Sequence, residues 1–90
     1  MLYLVTYDLN KPKQDYEKLF SALKHTETWW HHLDSTWLVK SSETIEDFAN
    51  RIKKEIDQND SLLIVEITKD SYKGWLTQKA WDWLKNNISG

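Results

Sequence analysis

Tryptophan is unusually frequent in this chain, with six in 90 residues. Three of them fall in one short segment, Thr28-Trp29-Trp30-His31-His32 followed by Thr36-Trp37. The interior of so small a domain holds about two or three indoles, and each buried indole needs a partner for its N–H group. We therefore expect some of these rings to do something other than fill the interior, either in a dimer contact or against a ligand. Flat rings beside imidazoles suit a planar, polar ligand such as a nucleobase.

The composition is that of a single folded domain. The chain is 40% hydrophobic and 29% charged, with two glycines and one proline, which excludes a disordered tail or a low-complexity linker. No apolar run is long enough to cross a bilayer and no signal peptide is present, so we expect a cytoplasmic protein without membrane contacts. The absence of cysteine excludes disulfides, thiol nucleophiles and thiolate metal sites. We expect no cofactor.

The charge balance disfavours one class of partner. The chain has 12 basic and 14 acidic residues, which gives a net charge of −2. Proteins that clamp long nucleic acids carry a basic stripe that displaces many counterions. Extended nucleic acid is therefore not an expected partner, unless a dimer gathers its lysines on one face. A small nucleotide needs far fewer positive groups.

Hydrophobic periodicity predicts seven elements. We predict strands at 2–8, 27–33, 36–40 and 61–68, and helices at 13–25, 44–56 and 77–87. Thr44 with Asp47 resembles a capping box at the start of the second helix. The run Leu62-Leu63-Ile64-Val65 is apolar on both faces, so this last strand is expected to be central in the sheet, as is the first strand.

The order of the first six elements is β-α-β-β-α-β, which predicts an α+β, ferredoxin-like fold with a four-stranded antiparallel sheet. We expect one domain over 1–90, with the core in 1–70 and a C-terminal helical arm in 71–90. Both core helices would cover one face of the sheet. The other face stays open unless a second copy or the C-terminal helix covers it, and we expect a homodimer.

The first strand ends in Tyr7-Asp8-Leu9. With the element order above, this strand resembles the first strand of the CRISPR-associated ferredoxin-like protein that partners the spacer integrase. That family forms symmetric dimers through its sheets, and some members are metal-dependent nucleases that use the strand-end aspartate. The resemblance implies the fold and the dimer, and makes Asp8 a candidate metal ligand and catalytic residue, paired with the Asp8 of the second copy across the dimer. Two features depart from the family: Leu9-Asn10-Lys11-Pro12 replaces its basic residues, and a helix replaces its fifth, swapped strand.

The hairpin predicted at Asp34-Ser35 sets which aromatic rings share a face. His31 and His32 are adjacent in a strand and point to opposite faces, so they cannot chelate one ion. Counting outward from the turn pairs His32 with Trp37 and places Trp37 on the face of Trp30, opposite Trp29. A shift of one residue would exchange these sets.

Three functional hypotheses follow. We expect non-catalytic binding or sequestration of a small nucleotide-type ligand, as in phage counter-defence proteins that remove an immune signal, in an aromatic pocket near the dimer interface. The alternative is a metal-dependent nuclease or an integrase-partner-like nucleic-acid-binding protein that uses Asp8. The third is a protein–protein adaptor with tryptophan anchors. The predicted ligand-binding residues are Tyr7, Asp8, Asn10, Lys11, Trp29, Trp30, His31, His32, Trp37 and Trp75.

Overall fold

The computed structural model describes residues 1–9, 16–69 and 72–88, which form four strands and three helices. The elements are β1 (Leu2–Asp8), α1 (Glu17–Lys24), β2 (Thr28–Leu33), β3 (Thr36–Lys40), α2 (Ile45–Lys53), β4 (Ser61–Ile67) and α3 (Gln78–Asn87). The strands form one antiparallel sheet in the order β2-β3-β1-β4. The predicted fold class and element order are confirmed. Asn10, Lys11 and the predicted start of the first helix lie outside the described residues.

Threonine side chains cap the second and third helices. Thr44 Oγ1 accepts a hydrogen bond from the Asp47 amide at 3.2 Å, and Thr77 Oγ1 accepts one from the Ala80 amide at 3.2 Å. Each bond satisfies an amide that has no partner within its helix. The predicted cap at Thr44 is confirmed, and α2 ends at Lys53 rather than at residue 56.

Helices α1 and α2 cover one face of the sheet. Tyr3 stacks on Phe48 of α2, with ring centroids 5.2 Å apart and planes 12° apart. The buried residues of this first core are Tyr3, Val5, Leu19, Leu23, Trp37, Val39, Phe48 and Ile52. Alternation along β1 and β3 directs the intervening residues to the opposite face.

Helix α3 covers part of that opposite face. Its buried residues Ala80 and Leu84 pack in a second core with Leu2, Trp30 and Leu38. The sequence left open whether a second copy or the C-terminal helix would cover this face, and the helix does so. The cover is incomplete, because Leu63 and Val65 of β4 stay exposed.

The position of β4 differs from the prediction. β4 lies at an edge of the sheet and pairs with β1, whereas β1 is central as predicted. Leu63 is 59% exposed and Val65 is 45% exposed. The apolar run therefore does not reflect burial on both sides: Leu62 and Ile64 pack against the first core, while Leu63 and Val65 face solvent.

A β-bulge in β2 overturns the predicted grouping of the aromatic rings. Leu33 pairs with Thr36, but Trp30 pairs with Leu38, so one extra residue of β2 lies between these pairs. A bulge of this kind changes which face the following side chains occupy. Trp30 and His32 share one face, with ring centroids 5.2 Å apart. The prediction that Trp37 joins them is wrong.

Trp37 belongs to the first core. Its side chain is 1% exposed, its Nε1 donates to the Tyr7 hydroxyl at 3.1 Å, and the His31 ring stacks on it at 4.0 Å and 15°. Trp29 contacts the same ring at 5.3 Å. Trp37 therefore supports the fold and offers no open surface to a ligand.

Arg51 ties the end of α1 to α2. Its Nε and Nη2 donate to the two carboxylate oxygens of Glu43, each at 2.9 Å. Nη1 donates to the Ala22 carbonyl at 2.7 Å, and Nη2 to the His25 carbonyl at 3.3 Å. Ser41 Oγ also donates to Glu43, at 2.8 Å. The hydrogen bond from Arg51 is the main reason that the pKa of Glu43 lies below its ordinary value.

We expect Glu43→Gln to remove part of the acid sensitivity of the fold. Because the pKa of Glu43 is lower in the folded chain, its contribution to the free energy of unfolding is present above pH 4.5, the ordinary value, and is lost as pH falls through the folded pKa. Urea unfolding across this range should show the gap between wild type and Glu43→Gln narrowing toward acid. Glu46→Gln, an exposed change in α2, is the matched control. A gap that stays constant with pH would contradict the assignment.

We expect Trp37→Ala to destabilise the fold by about 3–5 kcal/mol, because it empties a buried site. Trp37→Phe keeps a ring but loses the bond to Tyr7 and should lower stability less. Trp75→Ala is the control, since Trp75 is 98% exposed, and its unfolding midpoint should match wild type. Equal midpoints for Trp37→Ala and Trp75→Ala in chemical denaturation would contradict the core assignment.

Candidate functional site

Asp8 lies exposed at the end of β1, opposite Ser61 of β4. The neighbouring Tyr7 is half-buried, and its hydroxyl accepts from Trp37 and donates to the Asp34 carbonyl at 3.5 Å. The Tyr7 amide donates to the Ser35 carbonyl at 3.1 Å. Tyr7 thus holds the hairpin turn against the strand end, and Asp8 is the predicted site residue that remains accessible there.

The residues around Asp8 do not form a divalent-metal site within one chain. In ranges 1–9, 16–69 and 72–88, no group of three or more His, Cys, Asp or Glu residues is placed to hold a metal. Asp60, which precedes Ser61, accepts from the Tyr16 hydroxyl and from the Asp57 amide, each at 2.9 Å. A magnesium ion requires near-octahedral oxygen ligands. At phosphate-processing sites magnesium is held by one or two carboxylates together with waters and substrate phosphates. Among the described residues, Asp8 is the accessible carboxylate that one chain offers at this strand end.

Trp29 and His31 lie on the α1 side of the edge strand β2. Trp29 is 39% exposed, and Lys24 Nζ lies 5.1 Å from the centre of its ring. His31 Nε2 is 3.1 Å from the Asp34 carbonyl oxygen. These contacts attach both rings to the first core and to the hairpin turn.

A cleft of about 870 Å³ lies between β2 and the start of α3. We call it the β2-edge cleft, and its lining includes Trp30, His32, Leu33, Trp75, Lys79 and Trp83. It brings together four predicted site residues, Trp29, Trp30, His32 and Trp75. Sequence reasoning missed Lys79. It assigned Trp83 to the core, and Trp83 does pack partly buried against the second core while also lining the cleft. The i, i+4 spacing of Lys79 and Trp83 within α3 was the available signal.

A second apolar surface lies at the opposite edge of the sheet. A groove of about 510 Å³ runs between α2 and β4, and residues Ile45 and Leu63 contribute to it. Ile45 of α2 is 40% exposed, and Val65 of β4 is 45% exposed. We call Ile45, Leu63 and Val65 the β4 edge. Sequence reasoning missed it because it assigned β4 to the interior.

Comparison with known families identifies the fold's relatives. The model of the family "CRISPR associated protein Cas2" matches residues 1–75, which include all four strands together with α1 and α2. No curated protein matches this chain. None of the helices in the described part of the chain is long and apolar enough to span a bilayer.

The family match corrects the preferred functional hypothesis. Sequestration of a small nucleotide rested on the aromatic segment 28–37, whereas the match supports the alternative, a CRISPR-associated nuclease or integrase partner. The aromatic segment misled because Trp37 and Trp30 are largely core residues, 1% and 9% exposed. The likeness carried by Tyr7-Asp8-Leu9 pointed to the correct relatives: the chain belongs to the CRISPR-associated Cas2 family.

Proposed function

We propose that this protein is a non-catalytic, nucleic-acid-binding subunit that partners a CRISPR spacer integrase in the cytoplasm. The observation that carries this proposal is the Cas2 family match over residues 1–75, which spans the whole sheet and the two helices on its first face. The likeness at Tyr7-Asp8-Leu9 agrees with it.

The strand end supports the non-catalytic form of this role. Asp8 contributes one exposed carboxylate, and Asp60 is engaged by the Tyr16 hydroxyl and the Asp57 amide. Phosphodiester cleavage by metal ions relies on several ligands that fix the ion and its coordination geometry. Among the described residues one chain supplies Asp8 at this strand end, so cleavage would require the Asp8 of a second copy or ligands from another subunit.

The charge distribution favours binding within a complex. The exposed lysines of the two-helix face, Lys18, Lys24 and Lys53, alternate with acids such as Glu17 and Glu46. With a net charge of −2, one chain neutralises few phosphates. We therefore expect weak duplex binding by the chain alone and stronger binding once an integrase adds its own basic surface.

We expect the protein to raise the duplex affinity of a CRISPR spacer integrase, in gel-shift titrations at fixed salt. Asp8→Asn should raise it equally, and neither form should cut RNA or DNA with magnesium or manganese. If the integrase binds duplex equally well with and without the protein, the partner role is wrong. Cleavage by wild type that disappears in a folded Asp8→Asn would assign nuclease activity instead.

We also propose that two copies associate through the β4 edge. β4 pairs with β1 on one side and is the last strand of the sheet on the other. Leu63 and Val65 expose apolar surface on the α3 face of this strand, and Ile45 does so on α2 beside it. Apolar edge strands associate readily because their outer backbone groups and side chains both gain partners. The groove between α2 and β4 offers additional contact area.

We expect wild type to be a dimer at micromolar concentration and Leu63→Lys to be a monomer, because a buried unpaired charge opposes association. Leu33→Lys is the matched control, since Leu33 is 46% exposed at the opposite edge of the sheet. Light scattering of the three proteins checks this. A monomeric wild type, or dissociation by Leu33→Lys rather than Leu63→Lys, would refute the proposed interface.

A further inference from the structure

The β2-edge cleft gathers four of the chain's six tryptophans, Trp29, Trp30, Trp75 and Trp83. Its volume of about 870 Å³ lies in the range of ligand-binding sites in proteins. Trp30 is nearly buried and forms the floor with His32, whose ring contacts it at 5.2 Å. The cleft therefore has a fixed floor on the sheet and a wall on α3.

Trp75 is the most exposed large hydrophobic side chain in the described residues, at 98%, while the next, Leu63, is 59% exposed. Exposed aromatic surface of this size marks sites of interaction. Trp75 lies between Gly74 and Leu76 at the entrance to α3, and it lines the cleft itself. Its ring is free to pack against whatever enters.

The charge of the cleft favours an anionic partner. The ionisable residues among those that line it are His32 and Lys79, and no carboxylate is among them. Lys73 adds a second exposed cation on the segment that leads to Trp75. Asp82, on the same helix, accepts from Gln78 Nε2 at 2.9 Å and does not line the cleft.

We propose that the β2-edge cleft binds an unpaired, single-stranded segment of nucleic acid, with bases stacked on Trp75 and Trp83 and a phosphate beside Lys79. This inference rests on the proposed nucleic-acid function and names the form of nucleic acid that the cleft takes. Paired bases are hidden inside a duplex, whereas unpaired bases offer faces to aromatic side chains and phosphates to lysines. Stacking on indoles tolerates every base, so the cleft selects strandedness rather than sequence.

The test measures fluorescence anisotropy of a short labelled oligothymidine and of a blunt duplex with the full chain. Trp75→Ala should weaken oligothymidine binding about tenfold, the effect of losing one stacked base. Trp75→Phe should keep most of the affinity. Lys79→Ala should weaken binding and lower the slope of log affinity against log salt by about 0.7. Lys85→Ala, which removes an exposed lysine of the same helix that does not line the cleft, is the matched control and should bind as wild type does.

Thermal unfolding of Trp75→Ala should match wild type, so lost affinity reports the cleft and not the fold. If wild type does not bind oligothymidine, or if Trp75→Ala binds it equally well, the inference is wrong. Trp75→Ala could instead leave oligothymidine affinity unchanged but alter the mass of the protein assembly in light scattering. In that case a second copy occupies the cleft, and the inference is also wrong. A different result would overturn the proposed function alone: the protein does not raise the duplex affinity of the integrase, while oligothymidine still binds the cleft.

Discussion

The pairing of β1 with β3 places bulky apolar side chains on both faces of the sheet. Tyr3 pairs with Val39 on the side of α1 and α2, and Leu4 pairs with Leu38 on the side of α3. Because neighbouring residues of a strand point to opposite faces, neither face can be left in water without a large loss of hydrophobic stabilisation. Helix α3 is therefore part of the fold.

A helix is narrower than a four-stranded sheet, so covering the second face with α3 leaves both edges accessible. At one edge, Leu63 and Val65 of β4 stay exposed, and we propose a second copy there. At the other edge, Trp30 and Trp83 frame the cleft that Trp75 overhangs, and we propose unpaired nucleic acid there. The two surfaces lie at opposite edges of the sheet, so we expect that occupying one leaves the other free.

Local patterns predicted the elements well, because their causes lie within a few residues of each other. The helical stripe and the Thr44 cap located α2, and alternation with the turn at Asp34-Ser35 located the hairpin. The bulge in β2 and the edge position of β4 depend on how distant strands pair, and no local pattern encodes that pairing. One extra residue between Trp30 and Leu33 was enough to place Trp30 and Trp37 on opposite faces of the sheet, in different cores.

The candidate site likewise contains residues that local sequence patterns predict and residues that only the folded chain brings together. Sequence reasoning found Trp30, His32 and Trp75 but missed Lys79, because α3 reaches the hairpin only in the folded chain. It also preferred a small nucleotide ligand, since clustered indoles were read as a pocket before their burial was known. The strand-end motif around Asp8 gave the better guide, because it belongs to a family whose match covers residues 1–75.

Native mass spectrometry of the full chain mixed with oligothymidine tests the separation of the two edges most directly. Our interpretation requires dimers that carry oligonucleotide, since β4 holds the second copy while the cleft beside β2 remains open. Oligonucleotide found on monomers alone, with dimers dissociating as it is added, would show that the two ligands compete for one surface and would contradict it.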